Sequence, residues 1–211
     1  MDYAGSEILG VKEYLMTLIV GCRYRNKYIL AADGRVTNDT GIIESNTCQK
    51  IEAYENYVMA GAGTCNTPAI LKKYLFDLQQ KPDPIGPLDA ELSCLKIDAN
   101  KETVDGSVLL LELHKGKVTN ILNLLMQDSI TVQNILTENQ QLITLGTGSD
   151  CFTGIFKLVL EARVRQKGQL SLPLLKDAIR HSMQRVADIN VFCNDQIDMQ
   201  VFDIKKDNAH R

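Results

Sequence analysis

The chain has 211 residues, 45% of them hydrophobic, which suits one domain with a sizeable core. A net charge of −3 leaves no basic footprint for nucleic acid or for an anionic membrane surface. No apolar run approaches the roughly 20 residues that span a bilayer. The six cysteines (Cys22, Cys48, Cys65, Cys94, Cys151, Cys193) form no CxxC pair and none lies at zinc-like spacing from a histidine. They read as small buried thiols in a reducing compartment rather than as a disulfide framework.

Residues 1–16 stand apart as an N-terminal extension or removable pro-segment. Ile8, Val11 and Leu15 could line one helical face, although so short a segment is marginal alone. The segment lacks the basic start and long apolar core of a secretory signal, and Asp2, Glu7 and Glu13 argue against a transit peptide, so a cytoplasmic location is expected. From Thr17 the period changes to two. Leu18, Val20, Cys22 and Tyr24 alternate with Ile19, Gly21 and Arg23, a strand that Arg25-Asn26-Lys27 turns into a return strand over Tyr28–Ala32. Asn38-Asp39-Thr40-Gly41 is a turn signal. Short strands are expected at 42–43, 49–54 and 57–60, and the small residues Gly61-Ala62-Gly63 read as a tight turn. A helix follows over 64–80, with Ile70, Leu71, Tyr74, Leu75 and Leu78 at helical spacing and Thr64 or Thr67 as its cap.

Lys81–Pro87 holds three of the five prolines and reads as a rigid connector within the domain. Residues 88–100 are ambiguous. Ser107–His114 is a buried strand turned at Lys115-Gly116-Lys117, further strands fall between 118 and 136, and Gln141–Leu145 is another. Amphipathic helices are expected over 151–166 and 172–189, separated by Gly168, with Ser171 and Pro173 starting the second. Val191–Cys193 and Met199–Phe202 read as a closing strand pair. Strands, one helix, strands, two helices and strands do not alternate singly, which disfavours a doubly wound parallel sheet. Two stacked antiparallel sheets flanked by helices, an α+β arrangement, fit better.

Candidate chemistry gathers at a few positions, each with an ordinary reading of its own. Thr17 is a β-branched strand residue, Asp33 a turn carboxylate before Gly34, Lys50 a solvated lysine. Together they could do more. A threonine hydroxyl is a weak nucleophile until a base takes its proton, and a released α-amino group titrates near pH 8. Were Thr17 the first residue, it would supply nucleophile and base at once. A nearby lysine would lower the pKa of both groups, and Asp33 would hold that lysine charged and oriented. Gly61 could present its N–H to a developing oxyanion. His114, His181 and His210 lack a recognisable nucleophile–base–acid spacing. Gly146-Thr147-Gly148-Ser149 precedes a helix but lacks the lysine of a phosphate loop.

With those residues laid out, the sequence resembles the proteasome β-subunit family, and its HslV branch most closely. The resemblance runs through TLIVGCRYRNKYILAADGRV from Thr17, NTCQKI around Lys50 and MAGAGT at 59–64, then LITLGTGSD at 142–150 and ADINVFCND at 187–195. It implies a four-layer αββα sandwich, the N-terminal nucleophile hydrolase fold, over residues 17–211. It implies Thr17 as nucleophile, Asp33 and Lys50 as its partners, Gly61 as the oxyanion hole, Thr147 in the position of a serine that orients the amino terminus, and Asp188 as a second aspartate. Val36, Met59 and Gly63 fall where the family shapes its pocket for an apolar side chain. A structural monovalent or divalent cation would be held by main-chain oxygens of Ala187, Asn190 and Cys193, with no cofactor for the chemistry itself. The partners implied are identical or related subunits in a stacked ring and an AAA+ unfoldase that spends ATP and feeds in unfolded polypeptides; nucleic acid and membranes are not among them.

The chain departs from the pattern in three places. Leu18 replaces the family's second threonine. Met16, not glycine, precedes Thr17, so either cleavage at that bond or initiation at Met16 with removal of the methionine could expose the threonine. Residues 79–141 match poorly. Three readings stay open: a threonine-type endopeptidase of a self-compartmentalising, ATP-dependent complex; a non-catalytic scaffold or gating subunit that keeps its extension; and an amidase or transpeptidase on the same fold.

Overall fold

The computed structural model describes residues 14–15, 17–37, 42–64, 67–80, 86–97, 104–136, 141–191 and 193–205. In chain order these form β1 (Tyr14–Leu15), β2 (Ile19–Tyr24), β3 (Lys27–Asp33), β4 (Val36–Thr37), β5 (Ile43–Ser45), β6 (Ile51–Tyr54), β7 (Tyr57–Thr64), α1 (Thr67–Gln79) and α2 (Leu88–Ser93). They continue as β8 (Gly106–His114), β9 (Lys117–Met126), β10 (Ile130–Asn134), β11 (Leu142–Leu145), α3 (Ser149–Lys167), α4 (Leu172–Ile189) and β12 (Ile197–Ile204). The expectations at 38–41 and 81–85, and the helical face at Ile8 and Val11, lie outside the described residues.

Hydrophobic periodicity explains the layering. Strands β2 and β3 pair through Cys22↔Ile29 and their neighbours, and β12 and β11 flank them on either side. Strands β6, β7, β8, β9 and β10 form a second antiparallel group. Ile19, Leu30 and Ala32 of the first group meet Val58, Ala60, Leu109, Leu111 and Ile121 of the second in a dry layer between the sheets. The alternate residues point outward: Leu18, Val20, Ile29 and Ala31 under α3 and α4, and Met59, Val108, Leu110 and Leu122 under α1 and α2. This is why β8 reads as an unbroken apolar run: a central strand covered on both faces has no wet side to alternate with. The result is four layers, αββα.

One junction joins the two sheets. Asp203↔Lys117 and Ile204↔Val118 pair β12 with β9 in parallel, while every other pairing among the described strands is antiparallel. The stacked layers are thus one folded-over hydrogen-bonded surface. The outer helices follow their sequence signals. The Ser171 side chain caps α4 by accepting from Leu174 N at 3.4 Å, and Gly168 ends α3 at φ +79°. Leu175, Ala178, Ile179, Ser182, Met183 and Val186 make the buried stripe of α4.

Several expectations change. The small residues after Ala60 do not turn: β7 runs on to Thr64, with Gly61 opposite Val108 and Gly63 opposite Gly106. A Cβ at Gly63 would overlap Asp105 O, so the glycines serve close backbone approach. Val191 and Cys193 form no strand; β12 pairs with β3 and β9 instead, where its residues can join a sheet edge. Leu15 belongs to a short strand with Tyr14, antiparallel to the end of β7 through Leu15↔Gly63, not to a helix. Both hairpin turns are shorter than the sequence suggested, because Lys27 and Lys117 already belong to return strands.

Candidate active site

Thr17 precedes β2, and Asp33 ends β3. Ile19↔Ala32 registers those strands so that Leu18 N donates to Asp33 Oδ1 at 2.8 Å and Asp33 N donates to Leu18 O at 3.1 Å. Lys50 enters from the other sheet. It directly precedes β6, whose ladder to β7 ends at Ile51↔Ala60, so Lys50 comes next in register beside Gly61. Its Nζ donates to Asp33 Oδ1 at 2.9 Å and also to Thr17 Oγ1. Thr17, Asp33 and Lys50 are all buried.

Buried charge needs partners. Asp33 Oδ1 accepts from Lys50 and Leu18 N, and Oδ2 accepts from Arg35 N at 3.2 Å and Asn194 N at 3.3 Å. The Lys50, Leu18 and Asn194 donors are buried, and the Arg35 donor is part-buried. Burial lowers the Lys50 ammonium below its ordinary pKa, with Asp33 pulling the other way. Burial pushes the neighbouring Cys193 thiol up to about 12. The arrangement sets a hydroxyl against an amine whose proton is held less tightly than usual, which is the condition for activating a weak nucleophile.

The turn after β11 closes the site from above. Gly146 adopts φ +91°, and a Cβ on it would overlap Thr17 O. Gly148 N lies 3.5 Å from that same oxygen. The glycines of the segment that looked like a weak phosphate loop are there to seat the Thr17 backbone. Thr147 itself is exposed. Asp188 is exposed near the end of α4, where it pairs with Arg185 at 3.4 Å. Met59 is fully buried in the layer under α1, on the opposite face of β7 from Ala60. Val36 is buried in β4, and Gly63 is half-buried beside Leu15. At the end of α4, Asn190 N donates to Val186 O at 2.8 Å, and beyond it Cys193 N donates to Asn190 O at 3.1 Å. The sequence reading missed Asn46, Asn194 and Arg35. Arg35 donates to Asn46 Oδ1 at 2.9 Å and to Val191 O; all three residues lie within the stretches that carry the resemblance, yet none was given a role. A separate cavity of about 470 Å³, lined by Tyr57, Leu78, Pro87, Leu88, Glu91 and Glu112, lies at the start of β7, away from this cluster. The described cysteines, Cys22, Cys48, Cys94, Cys151 and Cys193, are all free thiols. No helix among the described residues is long and apolar enough to cross a membrane.

This four-layer αββα architecture is the fold seen in solved structures of HslV and of BPH. Among solved structures, the chain is similar to eukaryotic HslV from Trypanosoma brucei, at 18% identity and TM-score 0.61, over 89% of this chain and 99% of that one. It is similar also to Thiobacillus denitrificans BPH in complex with epoxomicin, at 19% identity and TM-score 0.60, over 90% of this chain and 100% of that one. BPH without the inhibitor gives 17% identity and TM-score 0.59. No family model matches the sequence, and no curated protein matches it.

Proposed function

We propose that the chain is a threonine-type peptidase subunit whose nucleophile is Thr17 Oγ1. The observation that carries this reading is the buried contact of Lys50 Nζ with both Thr17 Oγ1 and the Asp33 carboxylate. While residue 16 is attached, the Thr17 nitrogen is an amide and cannot act as a base. The amine in contact with the hydroxyl is then Lys50, whose lowered pKa enlarges its neutral fraction. In that form Lys50 takes the hydroxyl proton and Oγ1 attacks the Met16 carbonyl carbon. The C–N bond to Thr17 breaks as the nitrogen is protonated, and water hydrolyses the resulting ester. The products are a Met16 carboxylate and a free Thr17 amine.

That amine, titrating near pH 8, becomes the base for substrate. Oγ1 attacks a scissile carbonyl, the Gly61 N–H receives the oxyanion, the amine passes its proton to the leaving group, and water releases the acyl group. Lys50 contributes a positive charge that keeps the amine's proton affinity low. On this reading Thr147 and Asp188 orient the new terminus, and an apolar substrate side chain sits near Val36, Met59 and Gly63. A cation at the Ala187, Asn190 and Cys193 carbonyls would be structural and enters no step. The subunit works in a stacked ring in the cytoplasm, supplied with unfolded chains by an AAA+ partner.

The test is intact mass followed by labelling. Epoxomicin, the ligand of the BPH complex, is the probe. A species beginning at Thr17 that gains one inhibitor mass is expected, with Thr17→Ala unlabelled and slower in peptide hydrolysis by on the order of a thousandfold or more. Full-length protein that never labels would refute the reading. One observation favours a second reading, a non-catalytic subunit that keeps its extension: Tyr14–Leu15 already pairs with the edge of β7 two residues before Thr17. A retained 211-residue mass in assembled rings would select it.

A further inference from the structure

Asn194 follows α4, far in sequence from the three residues above, yet it touches their frame at three points. It is 5% exposed. Its Oδ1 accepts from Gly34 N at 2.9 Å, its Nδ2 donates to Asn46 O at 2.7 Å, and its own backbone N–H donates to Asp33 Oδ2 at 3.3 Å. The two side-chain bonds fix the amide's orientation, since only a carbonyl can face the Gly34 N–H and only an NH₂ can face the Asn46 oxygen. One residue therefore grips the turn just after Asp33, the segment that leads through Cys48 to Lys50, and the carboxylate itself. The segment is closed from the other side by Cys48 N donating to Gly34 O at 2.9 Å. The turn has little slack: a Cβ on Gly34 would stand 2.9 Å from Asn46 O.

We propose that Asn194 is a positioning residue for the Thr17 chemistry, acting through Asp33 and Lys50. A carboxylate can rotate about its last bond. With Oδ2 held by Arg35 N and Asn194 N, Oδ1 is aimed at Leu18 N and Lys50 Nζ. Lys50 in turn is aimed at Thr17 Oγ1. Aspartate cannot replace the asparagine, because a second carboxylate would oppose the Asn46 carbonyl and add an anion to a buried site. That anion would raise the proton affinity of Lys50 and of the Thr17 amine, so the reaction would need a higher pH. Alanine would leave the Gly34 N–H and the Asn46 carbonyl without partners, and so loosen the turn and the segment whose backbone N–H groups hold the carboxylate.

This role rests on the peptidase reading. The experiment uses the assembled protein, with turnover of a fluorogenic peptide measured per epoxomicin-labelled site for wild type, Asn194→Ala, Asn194→Ser and Asn194→Asp, and per total protein for the unlabelled control Thr17→Ala. Counting labelled sites removes any loss of folded protein, and the serine variant is the milder test of folding. For the Asn194 variants, kcat per labelled site should fall about tenfold or more with KM within about twofold, as expected when the lost interaction serves the transition state and not substrate binding. The rising limb of the pH–rate profile should move upward in Asn194→Asp. A residue that only supports the fold would lower the labelled fraction and leave both readouts unchanged; that result, beside an active wild type and a dead Thr17→Ala, overturns the positioning role alone. A wild type that neither labels nor turns over removes the peptidase reading and this role together.

Discussion

Lys50 Nζ stands 2.9 Å from Asp33 Oδ1, with both side chains 1% exposed. Such a pair is a weak contributor to stability but costly to break from one side, because the survivor is a buried charge with no counter-ion. Lys50→Met and Asp33→Asn should each destabilise the fold by about 3–5 kcal/mol in urea denaturation. The double variant should be less destabilised than the sum. Additive losses would mean that the two charges do not depend on each other.

The pair also sets a dependence on pH. The folded pKa of Lys50 lies below its unfolded value of 10.5, so between the two the unfolded chain binds more protons and stability rises with pH across that window. Cys22 and Cys193 act in the opposite sense. Burial raises each from 9.0 to about 12, so their contribution is lost as pH climbs through that range. The difference in melting temperature between wild type and Lys50→Met isolates the lysine: the wild type should gain on the variant as pH approaches 10.5. A constant gap would contradict the lowered pKa. Release of residues before Thr17 should accelerate over the same rise, followed by intact mass.

Tyr28 makes a test of the inter-sheet layer. Its ring is buried and its hydroxyl has no hydrogen-bond partner among the described residues. Tyr28→Phe should hold stability or raise it by about 1 kcal/mol. A Cβ on Gly21 would overlap the Tyr28 hydroxyl and come within 2.6 Å of Leu109 Cδ2. Gly21→Ala should then cost about 1–3 kcal/mol, and part of that cost should vanish when Tyr28→Phe is added. Thermal denaturation of the four proteins closes the cycle; equal costs in both backgrounds would show that the hydroxyl is not the obstacle.

Gly146→Ala should separate the site from the core. It forces an L-residue to φ +91° and drives a methyl into the Thr17 carbonyl. Epoxomicin labelling should be lost while circular dichroism keeps the native helix and strand content. Labelling at the wild-type rate would mean that the turn after β11 does not fix Thr17.

The sequence made legible whatever depends on period and caps. The β2–β3 hairpin, the β8 strand, Ser171 capping α4 and Gly168 ending α3 were all visible, since each rests on neighbours within a few residues. Thr17, Asp33 and Lys50 surfaced only through a family resemblance, because no spacing rule brings positions 17, 33 and 50 together; that meeting is made by Ile19↔Ala32 in one sheet and Ile51↔Ala60 in the other. The glycines at 61–63 misled because small residues signal a turn and a tightly packed strand equally well. Asn194 was invisible for a plainer reason: its partners lie about 150 residues away, and nothing in its own neighbourhood announces a buried amide.

The parallel seam between β9 and β12 has a consequence for control of the site. Thr17 and Asp33 ride on one sheet and Lys50 and Gly61 on the other, so the site exists only while the two slabs keep one alignment. The seam pins a single corner, at Asp203↔Lys117 and Ile204↔Val118. Any load that pried the slabs apart at the opposite corner would draw the amine from the hydroxyl and silence the chain without touching a reacting atom.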